Sequence, residues 1–193
     1  MNEKQIIIDE FSNASFTPDE MQTILDAFVP VEFKKDDFLF REGIVLNQYF
    51  FLERGFVRSY AIDYDGHEIT TQFYSPPAIV IDWVSFMLRT PTKEHFQAVT
   101  DCFCWSLSNT KFQELFHGIK GFRESGRQRF ASGYFKLKEH HLSVISKTAK
   151  ERYLELIQNH PEILHNASLK HIATYLGITD TSLSRIRKEI VQS

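Results

Sequence analysis

Hydrophobic positions change their period twice along the chain. Met21, Ile24, Leu25 and Phe28 recur at steps of three and four behind Thr17-Pro18-Asp19-Glu20. This predicts a short helix of about three turns ending at Pro30, with Thr17 as cap, Pro18 in the first helical position and Glu20 completing a capping box. From Val31 to Leu107 the texture becomes short β-rich runs: Phe38–Phe40, Tyr49–Leu52, Phe56–Ile62, Glu68–Tyr74 and Cys102–Leu107, punctuated by Gly43, Gly55 and Gly66. Asp65-Gly66 between two alternating runs predicts a type I′ hairpin. Regularly spaced strands with turn signals predict an antiparallel barrel or roll.

From Asn109 the helical period returns. Phe112, Leu115 and Phe116 mark a short helix, and a long one is expected from about Ile119 to Ile145. Along it Phe130, Tyr134, Leu137, His141 and Val144 alternate steps of four and three, a heptad-like seam. Such a seam suits pairing with a second copy; packing on the chain's own β-domain is the alternative. Gly126 and Gly133 weaken this helix. Tyr153, Leu154 and Ile157 line a further helix, ended by Pro161.

The last segment carries the most chemistry. In Leu169–Lys188, Ile172 and Leu176 share a face four residues apart, and Ala173 is small where a second helix must cross. Ser168 caps the first helix, Gly177 supplies the turn, Ile178 plugs it, and Thr179 caps the next helix. Leu183, Ile186 and Ile190 give that helix an apolar face. The whole predicts a helix-turn-helix. On the opposite face Thr181, Arg185 and Lys188 follow i, i+4, i+7 spacing, Ser184 borders them, and Asp180 lies with Thr181 in the first turn. These are the positions a recognition helix offers to a major groove. Thr179, Asp180, Thr181, Ser184, Arg185, Arg187 and Lys188 are therefore the candidate DNA-binding residues.

Composition refines this picture. The 193 residues are 42% hydrophobic with 18 Phe, enough for a packed, Phe-rich core. No stretch approaches the ~20 apolar residues of a membrane helix, and the N-terminus does not read as a signal peptide. A cytoplasmic location is the expectation. Net charge is −3, yet from Lys147 onward seven Lys/Arg stand against five Asp/Glu. DNA binding would rest on a local basic patch, doubled in a dimer. Cys102 and Cys104, one residue apart in a strand, face one side. They read as two buried small hydrophobes, with a redox-responsive dithiol as the alternative; neither a disulfide scaffold nor a zinc site follows from that spacing. No metal or cofactor is expected.

An N-terminal β-roll, a long pairing helix and a C-terminal helix-turn-helix, in that order, resemble the Crp/Fnr family of bacterial transcription regulators. Phe38-Leu-Phe-Arg-Glu-Gly43, Phe51-Leu-Glu-Arg-Gly-Phe-Val57 and Tyr64-Asp-Gly-His-Glu68 carry the likeness in the roll, and Leu176-Gly-Ile-Thr and Leu183-Ser-Arg-Ile186 at the C-terminus. The resemblance implies an α+β chain. A jelly-roll-like antiparallel β-roll flanked by helices spans 1–117, a dimerisation helix 118–146 and a helix-turn-helix domain 147–193. It implies a homodimer on a palindromic operator of double-stranded DNA, with RNA polymerase as a further partner. Arg185 matches the family's base-reading arginine, whose fork can donate to guanine O6 and N7; Arg187 and Lys188 suit phosphates. No clear strand pair appears between Pro161 and Ser168, so the family's wing is expected to be reduced or absent.

Cyclic-nucleotide-binding members use a Gly-Glu pair, a short helix and an Arg-Ser pair. Here Ile81 replaces the glycine, and Asp82 stands where the acidic residue belongs but can equally cap a helix through Ser85. Thr92-Lys93-Glu94 stands where Arg-Ser belongs. Lys93 or Arg89 can supply a point charge but not the guanidinium fork in that place. Asp82, Trp83, Ser85, Arg89 and Lys93 form the candidate effector pocket, cAMP is not the expected effector, and no effector is identified. Two cysteines do not make an iron–sulfur site, and the eight histidines read as surface residues rather than haem ligands. No nucleophile elbow, Walker loop or His-Glu-x-x-His appears, which argues against an enzyme. The alternative reading is a cyclic-nucleotide-binding or other ligand-binding signalling protein whose C-terminal helices contact protein. The Arg185/Lys188 stripe speaks against it.

Overall fold

The computed structural model describes residues 4–12 and 14–191. Helices α1 (Gln5–Glu10) and α2 (Pro18–Ala27) precede the strands. The expected capping box is formed: the Glu20 amide donates to Thr17 Oγ1 (3.2 Å) and the Thr17 amide to Glu20 Oε2 (2.8 Å). The strands are β1 (Val29–Phe33), β2 (Phe38–Phe40), β3 (Gln48–Arg54), β4 (Val57–Ile62), β5 (Glu68–Tyr74), β6 (Ala78–Val80), β7 (His95–Ala98) and β8 (Cys102–Ser108). Helix α3 (Trp83–Leu88) interrupts them before β7. They form two four-stranded sheets, β1-β8-β3-β6 and β2-β7-β4-β5, with every pair antiparallel. The spacing of the β-rich runs predicts an antiparallel barrel or roll and the resemblance implies a jelly-roll-like one, and the two antiparallel sheets agree with both.

The β4–β5 connection differs from the type I′ turn expected at Asp65-Gly66. Only Gly66 has a positive φ (+84°) there, and Asp65 does not. The Gly66 amide donates to the Asp63 carbonyl, and Asp63 Oδ1 accepts the amides of Asp65 and His67. The Asp63 carboxylate thus organises a longer loop in which a glycine is needed at one position, not two.

The roll's core lies between the sheets, where Phe40, Phe50, Leu52, Val57 and Phe96 are buried, and extends through Phe28, Tyr49, Phe86, Phe112 and Phe122 to the helices. Cys102 and Cys104 are both buried and reduced. Burial pushes the Cys104 thiol up to about 12 and raises Cys102 as well. This is the apolar role anticipated for them.

Helix α4 (Asn109–Gly118) leads to the 27-residue α5 (Lys120–Ser146). The first half of α5 packs on the roll through Phe122 and Ser125; Phe130 meets Trp83 at 4.4 Å between ring centroids. Beyond that point the apolar residues of α5 lie open: Tyr134, Phe135, Leu137, Leu142, Val144 and Ile145 are all exposed. Then follow α6 (Ala149–Asn159), α7 (Pro161–Asn166), α8 (Leu169–Tyr175) and α9 (Asp180–Val191). On α6, Tyr153 and Leu156 are the buried residues. Helix α7 occupies the stretch in which no wing strand pair is expected, and no strand follows β8 among the described residues.

The C-terminal helices do not hang free of the roll. Their core (Tyr153, Leu156, Ile163, Ile172, Ala173, Leu176, Leu183) includes Phe56 and packs against Phe73 and Val99. Along β4, Val57 faces the roll's interior while Phe56, just before it, faces α8. The sheet is therefore covered on both faces, and Arg58 on β4 is left only 1% exposed. Thr174 on α8 donates to Thr70 on β5 (3.0 Å), and Ser75 donates to Glu162 (3.0 Å). Arg152 ties the joints: Nη1 donates to the Lys147 carbonyl (2.7 Å) and Nη2 to the Leu176 carbonyl (2.8 Å).

Candidate nucleic-acid interface

The turn between α8 and α9 is built as the residue pattern requires. Ser168 Oγ accepts the His171 amide at the start of α8, and Gly177 adopts φ +67°. The Ile178 amide then reaches back to the Ala173 carbonyl (3.0 Å). Thr179 Oγ1 accepts the Ser182 amide (3.2 Å), so its hydroxyl serves as the N-cap of α9. Ile172, Ala173, Leu176 and Leu183 are buried together, which fixes the crossing of the two helices. The small side chain of Ala173 lets them approach.

With Leu183 turned inward and Ile186 and Ile190 packed beside it, the opposite face of α9 lies in solvent. Thr181, Ser184, Arg185 and Lys188 are all exposed and share one stripe by their 3.6-residue spacing. Asp180 and Arg187, seven residues apart, lie together on its flank and are exposed too. The structure thus brings six of the seven residues expected at DNA onto one accessible side of α9, with Thr179 engaged at its start. Chemically the stripe offers a forked guanidinium, an ammonium and two hydroxyls, a set that can donate to base edges and phosphates.

The residues that seat this helix pair carry no local sequence signal. Thr70–Thr174 spans 104 residues, and the Arg58, Arg152 and His171 side chains matter only once α8 lies on β5.

The five candidate effector-pocket residues have a different fate. Asp82 caps α3, its Oδ1 accepting the amides of Val84 (2.9 Å) and Ser85 (3.2 Å). Ser85 is buried and accepts the Leu46 amide (3.0 Å). Trp83 packs among Tyr49, Phe86, Phe112 and Phe130. Arg89 donates to the Leu46 carbonyl and to Asn47 Oδ1, and Lys93 is exposed. Asp82 also acts electrostatically on Glu94, whose carboxyl is raised above its ordinary value by burial first and, further, by the Asp82 charge. A cyclic phosphate placed here would meet two carboxylates and no free guanidinium, so the residues present do not fit a cyclic nucleotide.

Residues 30–118 match the family model of the cyclic nucleotide-binding domain. No curated protein sequence matches the chain. Among solved structures, a protein described as a Crp/Fnr-family transcriptional regulator from Eubacterium rectale superposes with TM-score 0.70 at 15% identity, covering 92% of this chain and 85% of that one. A CooA variant from Carboxydothermus hydrogenoformans gives TM-score 0.69 at 19% identity, covering 95% and 83%. FixK2 from Bradyrhizobium japonicum gives TM-score 0.69 at 21% identity, covering 86% and 85%. The chain shares the fold of these proteins, among them one described as of the Crp/Fnr family, and residues 30–118 within it are similar to the cyclic nucleotide-binding domain.

Proposed function

We propose that the chain is a DNA-binding transcription regulator that acts in the cytoplasm as a homodimer on a palindromic operator. In this reading residues 1–117 form the effector domain, 118–146 the dimerisation helix and 147–193 the reading head. The observation that carries it is the exposed stripe Thr181, Ser184, Arg185 and Lys188 on a helix whose other face is buried. The open apolar side of α5 beyond Phe130 supports the dimer, because monomeric proteins rarely leave such a patch in water. A two-fold axis along α5 would present two copies of α9 to half-sites about one helical turn, ~34 Å, apart. RNA polymerase is the partner such a regulator meets at a promoter.

Duplexes selected from a random pool and titrated by fluorescence polarisation across a salt series test this reading. Arg185→Ala is expected to cost about 1–3 kcal/mol on the selected operator and to relax specificity, whereas Lys188→Ala weakens all duplexes alike and flattens the salt slope. Equal losses on operator and random DNA for Arg185→Ala would overturn the base-reading role. A salt-independent interaction would favour protein contacts instead.

A further inference from the structure

Helix α8 is held between two histidine–arginine pairs. On one side His171 of α8 lies against the outer face of the roll near Arg58 of β4. Arg58 donates to Glu68 of β5 (2.5 Å) and lies over the Tyr60 ring (4.2 Å). On the other side His140 of α5 meets Tyr175 of α8 at 5.2 Å between rings, with Arg152 of α6 nearby. Among the described residues, four buried side-chain polar atoms have no hydrogen-bond partner: Arg58 Nε, Arg58 Nη1, Arg152 Nε and His171 Nδ1. Arg58 and His171 belong to the contact of α8 with the roll, and Arg152 to the contact of α6 with the end of α8. A seat with unspent donors and two cations is well packed but electrostatically poised.

We infer that the contact between α8 and the roll is a proton-operated latch: neutral His171 and His140 allow α8 to stay docked on β5, and their protonation releases it. The charges around both rings support this sense. His171 faces Arg58, Lys170 of its own helix, Glu68 of β5 and Asp180 of α9. Of the two carboxylates, Glu68 is already engaged by Arg58. His140 faces Arg152 of α6 and the adjacent His141, and Tyr175 of α8 stacks beside it without a negative charge. Burial, then the neighbouring arginine, holds each histidine below the ordinary value of 6.5. A base whose value is depressed in the docked form favours docking above its undocked value. That advantage disappears as pH falls below about 6.5 toward the depressed values. The latch concerns docking alone and stands whether or not α9 reads DNA.

Hydrogen exchange on the full chain at about pH 7.5 and 5.5, with rates divided by the intrinsic chemical rates, tests the latch. Acidification is expected to lower protection of the β5 and α8 amides by up to about tenfold for each histidine, because pH 5.5 lies one unit below the ordinary value, while β8 keeps its protection. The double variant His140→Asn/His171→Asn is expected to keep interface protection at both pH values. Unchanged protection in the parent, or an equal loss in the double variant, overturns the inference. Should the double variant not fold, NMR titration of the parent's histidine rings decides it: both midpoints below 6.5 support the latch, and an ordinary midpoint at either ring refutes it.

Discussion

Leu137 and Ile145 on the open half of α5 are 67% and 69% exposed in the single chain. If α5 pairs with a second copy, the double substitution Leu137→Ser/Ile145→Ser should dissolve the dimer while leaving the protomer folded. Fully burying a Leu or Ile stabilises by about 1.5–3 kcal/mol, so the two-thirds still exposed leaves about 1–2 kcal/mol for the interface at each position. A two-fold axis buries each residue twice, which brings the total to at most about 4–8 kcal/mol. At about 1.4 kcal/mol per decade, the dissociation constant should rise by at most roughly three to six orders of magnitude. The protomer loses only the helix propensity of two positions, about 0.5 kcal/mol each. Sedimentation velocity from about 0.1 to 100 µM reads the first effect, and thermal melting followed by circular dichroism reads the second. A monomeric parent over this range, or a variant that dimerises as tightly as the parent, would refute the pairing of α5.

Two further outcomes test the roll. Gly55 has φ +103°, and a Cβ there would lie 2.5 Å from the Asp101 carbonyl oxygen and 2.6 Å from Cys102 Sγ. Gly55→Ala is therefore expected to cost about 3 kcal/mol, lowering the melting temperature by roughly 6–12 °C; a change under about 2 °C would show that the β3–β4 turn yields easily. Cys102 and Cys104 should react with an aromatic disulfide reagent only after denaturant is added, because burial raises both thiols. Rapid labelling of the native protein would mean that β8 opens to solvent.

Local pattern carried much of this fold. The capping box at Thr17, the runs 49–52 and 56–62, the long helix and the helix-turn-helix all rest on residues within one or two turns of each other. Strand β1 was hidden because Pro30 reads as a stop, yet it lies at the sheet's edge, where a missing amide is tolerated. Strands β6 and β7 are three and four residues long, too short for alternation to register. Helix α7 begins on Pro161, which was read only as the end of α6. At the candidate interface the stripe on α9 was legible for the same reason as the long helix: a single helix carries both its faces in one stretch of sequence. The seat of α8 was not, because Arg58, Thr70, Arg152 and Thr174 come from four elements that only the folded chain unites.

The tie made by Arg152 gives the long helix a mechanical meaning. Only Lys147 and Thr148 separate α5 from α6, and one guanidinium grips both the Lys147 carbonyl and the Leu176 carbonyl at the end of α8. The joint has little slack, so α5 and the C-terminal helices are coupled as one arm, held against the roll by Thr70–Thr174 and the Phe56 cluster and free to swing only when α8 leaves β5. At 1.5 Å per residue that arm is roughly 40 Å long. Tilting its roll end by about 10° sweeps the far end through about 7 Å, the rise of two base pairs. With α9 at DNA, as proposed, and α8 released from β5, a small strain in the roll would thus be geared up into a change of register on the double helix.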